Sequence, residues 1–385
     1  MKFVKSSDLK VGMRLARPIY NKNGVLLYER NSKLTVQGIS SIHNFGLIGI
    51  FILEPAEPVP PMTKEDIEFE RFQTMTVFAI QEELTFIAKN GKSPKTQIIV
   101  GNIIKNYGHM THKLNLIQSL RSKEDYTFKH TLNVAIMCAL MTHTLNMKVE
   151  DQLEIMIAAL VHDVGMLRVG EIDSSSPEAQ KILDMADREG LSIIESVFSI
   201  YPNVKRICQQ ASRIEKCVRD GGEMDAGKIV RGSKILAVAD TYDKMTAMQL
   251  DGEPHSEVTA TRFLMTNNEL FGEYEVNSLI DSINILAPGT SVELNTGEKG
   301  LVLATNPNDI LRPMVLTFEK NSIVDLGNTR VYGDLEIVDI MKTLDNRYIM
   351  NTDVLKKSGF QVDEPEYVDV PQNDDDDFVD TPIGF

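Results

Sequence analysis

Tryptophan is absent from all 385 residues, and cysteine is scarce, with three. Cys138, Cys208 and Cys217 fall in helical patterns, and no CxxC spacing occurs. That excludes a disulfide framework, a thiolate zinc site and a dithiol redox centre, and it favours a reducing, cytoplasmic setting. No apolar run approaches the ~20 residues that a membrane-spanning helix needs. The opening residues, Met1 to Lys10, lack the apolar stretch of a signal peptide, so no membrane association is expected. Basic charge is also short: 40 Lys and Arg face 55 Asp and Glu, a net −15. Phosphate backbones are bound by clustered cations, so nucleic acid is not an expected partner. The deficit is uneven, because nine acidic residues and no Lys or Arg lie between Gln361 and Phe385, leaving −6 for the rest. This tail, residues 361–385, cannot bury enough apolar surface to fold alone and is expected to be disordered.

What is present is ordinary for a folded protein: 42% hydrophobic and 25% charged residues, with length enough for two or three domains. Residues 1–53 read as a small β-rich module, with a hairpin turn at Asn21 to Gly24 between two apolar segments. Residues 54–63 form a linker stiffened by four prolines. Helical periodicity follows, first in a connecting region over 64–123, where Phe69, Phe72, Met75 and Phe78 mark an apolar face. A helical domain then spans 124–287, and short β segments divided by turn residues fill 288–345. The expected class is mainly α, a helical bundle with small β-rich pieces at both ends.

The informative residues are His130, the pair His162-Asp163, and Asp240. His130 sits in Tyr126-Thr-Phe-Lys-His-Thr-Leu-Asn-Val134, the pair closes Ile155-Met-Ile-Ala-Ala-Leu-Val, and Asp240 lies in Ile235-Leu-Ala-Val-Ala-Asp-Thr-Tyr-Asp243. Imidazoles and carboxylates together suit Mn, Fe, Co, Ni or Zn better than a thiolate site or calcium would. The bland alternative is a hydrogen-bonded, metal-free polar cluster, but charge is seldom buried without a partner or a metal. Elsewhere, His109, His112, His143 and His255 read as surface or core residues. The segment Val204 to Arg219 reads as an amphipathic helix with a basic, solvated face.

In this order and in helical context, these motifs resemble the HD-GYP branch of the HD phosphohydrolase superfamily, over roughly Glu124 to Lys320. Ala158-Ala-Leu-Val-His-Asp-Val-Gly165, Lys234-Ile-Leu-Ala-Val-Ala-Asp-Thr-Tyr-Asp243 and Pro288-Gly-Thr-Ser-Val-Glu-Leu-Asn-Thr-Gly297 carry the likeness. The resemblance implies an all-helical HD-type bundle with a metal site in its interior. It also implies a place among proteins that hydrolyse cyclic-di-GMP, a bacterial second messenger, with two or three metal ions. The chain departs from that pattern where further metals and substrate are held. Met166 stands for the lysine after His-Asp-x-Gly, Ala186 for the next histidine, and Met248-Gln249 where an arginine normally follows. No histidine occurs between Gln210 and Lys228, and the Gly-Tyr-Pro triplet is missing.

The expectation is therefore one divalent transition metal at His130, His162, Asp163 and Asp240, with Asp163 as the catalytic residue if the site turns over. The favoured function is a regulatory or binding module in cyclic-di-GMP-type signalling with weak or no phosphodiesterase activity. Its ligand would be a cyclic dinucleotide or another phosphorylated compound. An active single-metal HD phosphohydrolase and a ligand-free interaction protein are the alternatives. A protein partner, or a homodimer through the apolar helices between Phe69 and Leu120, completes the expectations.

Overall fold

The computed structural model describes residues 2–45, 47, 49–53, 62–116, 121, 124–169, 178–247, 254–320, 322–340 and 368–369. Its contacts divide the chain into two units, Met1–Met75 with Thr343–Phe385, and Thr76–Lys342.

In the first unit, β1 (Lys2–Lys5), β2 (Arg14–Leu15) and β5 (Gly49–Leu53) form an antiparallel sheet in the order β1-β5-β2. Strands β3 (Ile19–Tyr20) and β4 (Leu26–Tyr28) make the hairpin expected around Asn21 to Gly24. The Asn21 side chain accepts the amides of Asn23 and Val25 at 2.9 and 3.0 Å, and Gly24 takes a φ of +74° that a side chain would resist. Helix α1 (Val36–Asn44) starts at Thr35, whose hydroxyl accepts the Gly38 amide at 3.0 Å. Val4, Leu15, Ile19, Leu34, Ile42 and Ile52 pack into one small core. Most of the linker expected over 54–63 lies outside the described residues. So does the acidic tail, apart from Val368 and Asp369, whose carbonyls accept the Arg30 guanidinium at 2.5 and 3.2 Å.

The boundary between the units falls within α2 (Lys64–Asn90). This helix buries Phe69, Gln73, Thr76, Ile80, Leu84 and Ile87, a stripe at three- and four-residue spacing, and leaves Met75 38% exposed. The apolar face suggested by Phe69, Phe72, Met75 and Phe78 is thus rotated. A stripe kept at spacing three drifts off the 3.6-residue period, and Gln73 and Thr76 fall inside the true one.

The second unit is a helical bundle. It comprises α3 (Thr96–Tyr107), α4 (Tyr126–Thr144), α5 (Val149–Val161), the short α6 (Met166–Val169), α7 (Ala179–Val197), α8 (Val204–Asp220) and α9 (Arg231–Thr246). Helices α10 (Glu257–Thr266), α11 (Asn268–Phe271) and α12 (Glu273–Ser282) complete it. Helix α4 is buried continuously from His130 to Thr142, which marks it as the central rod rather than a surface helix. Helices α5, α9 and α12 pack around it, and α8 lies against α5 and α9. A five-stranded antiparallel sheet follows, ordered β10-β6-β7-β8-β9, from β6 (Ser291–Leu294), β7 (Lys299–Ala304), β8 (Met314–Thr317), β9 (Ser322–Asp325) and β10 (Ile337–Ile340). Helix α13 (Thr329–Tyr332) precedes β10, and Arg262 of α10 donates to the Ile337 carbonyl at 3.0 Å. The chain is mainly helical with β-rich pieces at both ends, as its composition and patterning imply. No helix among the described residues is long and apolar enough to cross a membrane.

Candidate metal centre

Three helix segments bring the motif residues together. Helix α4 carries His130 and α9 carries Asp240, while α5 ends at His162, which takes the C-cap position. The turn after His162 is tight because Gly165 lies on α7: a Cβ there would overlap the backbone of Ala186 and Gly190. That contact holds the His162-Asp163 turn against α7.

The ligand atoms converge. His130 Nε2 lies 3.2 Å from His162 Nε2 and 2.9 Å from Asp240 Oδ1, and His162 Nε2 lies 3.8 Å from Asp240 Oδ1. All three donor atoms lie within 4.8 Å of one another. Asp163 stands at the rim, 24% exposed, with Oδ2 3.6 Å from His130 Nε2 and 3.7 Å from His162 Nε2. Ligands ~2.1 Å from a common ion are ~3.0 Å apart in an octahedral shell and ~3.4 Å apart in a tetrahedral one, the range these separations bracket. The Asp240 oxygen supplies a further test. It is buried and has no donor of acceptable hydrogen-bond geometry, although it faces both imidazoles. A buried carboxylate oxygen in that position is satisfied by a cation. The donor set fits a divalent transition metal.

The outer nitrogens of the two imidazoles are fixed so that the inner ones face the cluster. His162 Nδ1 is 2.8 Å from the Ala159 carbonyl, and a proton held there leaves Nε2 as the lone-pair donor. His130 Nδ1 is 2.6 Å from Asp243 Oδ2, the carboxylate–histidine arrangement that orients metal ligands. Asp243 is held in turn by both terminal nitrogens of Arg121, at 2.5 and 2.7 Å, and by Asn133 Nδ2 at 3.0 Å. Arg121 and Asp243 are fully buried, and the Tyr126 ring lies 5.3 Å from the guanidinium and stacks on the His130 ring at 5.6 Å.

The charges follow from this packing. Burial draws His130 down, but the carboxylates of Asp240 and Asp243 beside its two nitrogens outweigh it and hold the imidazole up at about 9. Burial likewise pushes Asp243 up, yet Arg121 and His130 carry it below the usual carboxylate range. Two further side chains reach the cluster. Lys244, one turn after Asp240, donates to Asp240 Oδ2 at 2.8 Å and to Glu215 Oε2 at 2.9 Å. The two carboxylates then split. Burial raises both, but Lys244, Glu215 and the imidazoles bring Asp240 well below its usual range. Glu215, with Asp240 as its repelling neighbour, stays well above.

The face formed by α7 and α8 contributes differently. Ala186 is buried beside the Gly165 turn, with only a methyl group to offer. Its neighbour Asp187 is taken by Lys216 at 2.6 Å and Ser212 at 2.9 Å, and Lys216 also holds Asp184 at 3.0 Å. Residue 249 lies outside the described residues. His109 and His143 meet each other edge to face, 5.9 Å apart, away from the motif residues. On α8, Val204, Ile207, Ala211 and Ile214 are buried as its periodicity predicts.

Sequence patterns alone gave no role to Arg121, Asn133, Glu215, Asp243 or Lys244. Asp243 was findable: a second carboxylate one turn after Asp240 on an apolar helix must be buried and therefore partnered. Arg121 and Glu215 were not, because their partners lie far away in sequence.

Comparison with known proteins agrees with this geometry. Residues 127–245 match the HD domain family, a span that contains His130, His162, Asp163, Asp240 and Asp243. Over these residues the chain carries an HD domain. It is 22% identical over 238 residues to a cyclic di-GMP phosphodiesterase of Pseudomonas aeruginosa, covering 57% of this chain. The match spans about half of that relative, 56% of its length. No solved structure gives a match.

Proposed function

We propose that this protein is a single-metal HD module that binds a cyclic dinucleotide or a related phosphorylated ligand in second-messenger signalling, with weak or no phosphodiesterase activity. One contrast carries the reading. A metal-ready cluster of His130, His162 and Asp240 is backed by the buried Asp243–Arg121 pair, while Ala186 and the ion-paired Asp187 of the facing helix offer no free ligand. The distant likeness to a cyclic di-GMP phosphodiesterase supports the ligand class.

His130, His162 and Asp240 would hold the metal, with Asp163 as the fourth, more exposed ligand. A divalent ion there supplies Lewis acidity toward a phosphoryl oxygen and acidifies bound water. Asp243 fixes the His130 ring, and the Ala159 carbonyl fixes that of His162. Asp163, at the rim, would orient a water or accept its proton. That placement favours a second reading, an active single-metal phosphohydrolase. The missing cation at Met166 and missing ligand at Ala186 weigh against it, because charge stabilisation of a phosphoryl transition state is the larger share of such catalysis.

The two readings separate when Mn²⁺-loaded protein is mixed with cyclic-di-GMP and a nucleotide panel. Thermal stabilisation that rises with ligand concentration, without product, is the expected result. Turnover that Asp163→Asn abolishes would establish the enzyme instead.

A further inference from the structure

Lys244 is the side chain that the metal cluster does not explain. It lies one helical turn after Asp240, so its stem runs along α9, and the side chain is 39% exposed while its ammonium reaches Asp240, itself 6% exposed. The Asp240 carboxylate is divided. Oδ1 faces the two imidazoles, and Oδ2 takes the Lys244 ammonium at 2.8 Å. On the other side of that ammonium is Glu215 of α8, whose Oε2 is 2.9 Å away. The second Glu215 oxygen, Oε1, is buried with no hydrogen-bond partner. The far side of Asp240 is therefore a place with two carboxylates, an unsatisfied oxygen and one organic cation.

A carboxylate whose two oxygens point to two different cations is the device by which a pair of metal ions is bridged. Here one of those cations is part of the chain. Its charge is fixed at a single proton's worth, and its tetrahedral donors cannot polarise a water as a metal does. An ammonium does offer hydrogen bonds to an anionic oxygen, and Lys244, being partly exposed, has room to do so.

Resting on the proposed metal at His130, His162, Asp163 and Asp240, we propose that Lys244 is the second cation of this site. Its ammonium, held between Asp240 and Glu215, fills the position beside the metal that a second ion would occupy. The protein consequently binds one metal and faces a phosphorylated ligand with a metal–ammonium pair. Lys244 is a positioning and binding residue in this arrangement, and Glu215 is its anchor. Removing the ammonium frees the oxygens of Asp240 and Glu215 for a second divalent ion; replacing the Glu215 carboxyl as well takes that capacity away.

The test is metal stoichiometry of the full chain, stripped with chelator and titrated calorimetrically with Mn²⁺, with bound metal counted after gel filtration. The wild type is expected to bind one ion, Lys244→Ala two, and the double variant Lys244→Ala, Glu215→Gln one again. Lys244→Met, which keeps the aliphatic stem, is expected to match Lys244→Ala and serves if the smaller side chain fails to fold. A wild type that binds two ions overturns the proposal, as does a Lys244 variant that still binds one. A wild type that binds none overturns the metal reading beneath it, so the two failures are distinguishable.

Discussion

The His130 side of the cluster and the α7–α8 side use charge in opposite ways. Behind His130 the charged groups are buried and paired: Asp243 takes two nitrogens of Arg121, the Asn133 amide and the imidazole. Such a network fixes one ring in one orientation. On the α7–α8 side the ion pairs are half exposed, with Lys216 on Asp184 and Asp187, and Lys244 on Glu215. These pairs occupy carboxylates that would otherwise attract ions. The contrast teaches that the support behind His130 is intact while carboxylates on the other side are already paired with the chain's own cations.

Disrupting the buried side should have the largest effect. Arg121→Ala strands the Asp243 carboxylate in the core, and breaking a buried pair from one side costs about 3–5 kcal/mol, which a denaturant titration reads directly. A loss below about 1 kcal/mol would show that the pair is solvated and that the comparison is misdrawn. Next comes the turn that unites the two sides. Gly165→Ala must push the His162-Asp163 turn off α7 and is expected to lose about 1–3 kcal/mol, as overpacked sites do. Its Mn²⁺ affinity should fall alongside, since His162 is carried by the displaced turn.

A subtler change acts on orientation alone. Asp243→Asn keeps the shape but weakens the hold on His130 Nδ1, and loss of such an outer partner lowers metal affinity by about 10–100-fold. Isothermal titration with Mn²⁺ measures it, and unchanged affinity would sever Asp243 from the metal site. The smallest effect is expected on the exposed side. Lys216→Ala removes two partly solvated pairs and should cost under about 1 kcal/mol, with metal stoichiometry unchanged. A large loss there would give the α7–α8 face a structural weight equal to that of the buried side.

Much of this was legible in the sequence. The unbroken apolar run from Val134 to Met141, one turn after His130, fits a helix buried on all sides, and the Asn21 to Gly24 turn announces the first hairpin. The order His130, His162-Asp163, Asp240 announces the cluster, because each residue ends or punctuates an apolar helix. The rotation of the α2 stripe was not legible, since Gln73 and Thr76 are polar by type and buried only by tertiary context. Nor was the supporting shell. Arg121 meets Asp243 across 122 residues, and Lys244 meets Glu215 across 29, so no local period links them. Lys244 does sit at helical spacing from Asp240, but four-residue spacing on a helix reads as an ordinary surface pair until α8 is seen to lie beside it.

The central claim is a single metal at the junction of α4, α5 and α9, and anomalous diffraction from Mn²⁺-soaked crystals tests it most directly. The account predicts one peak, ~2.0–2.2 Å from His130 Nε2, His162 Nε2 and Asp240 Oδ1, with Lys244 still seated between Asp240 and Glu215. An absence of density there, or a second peak on the far side of Asp240, would contradict it.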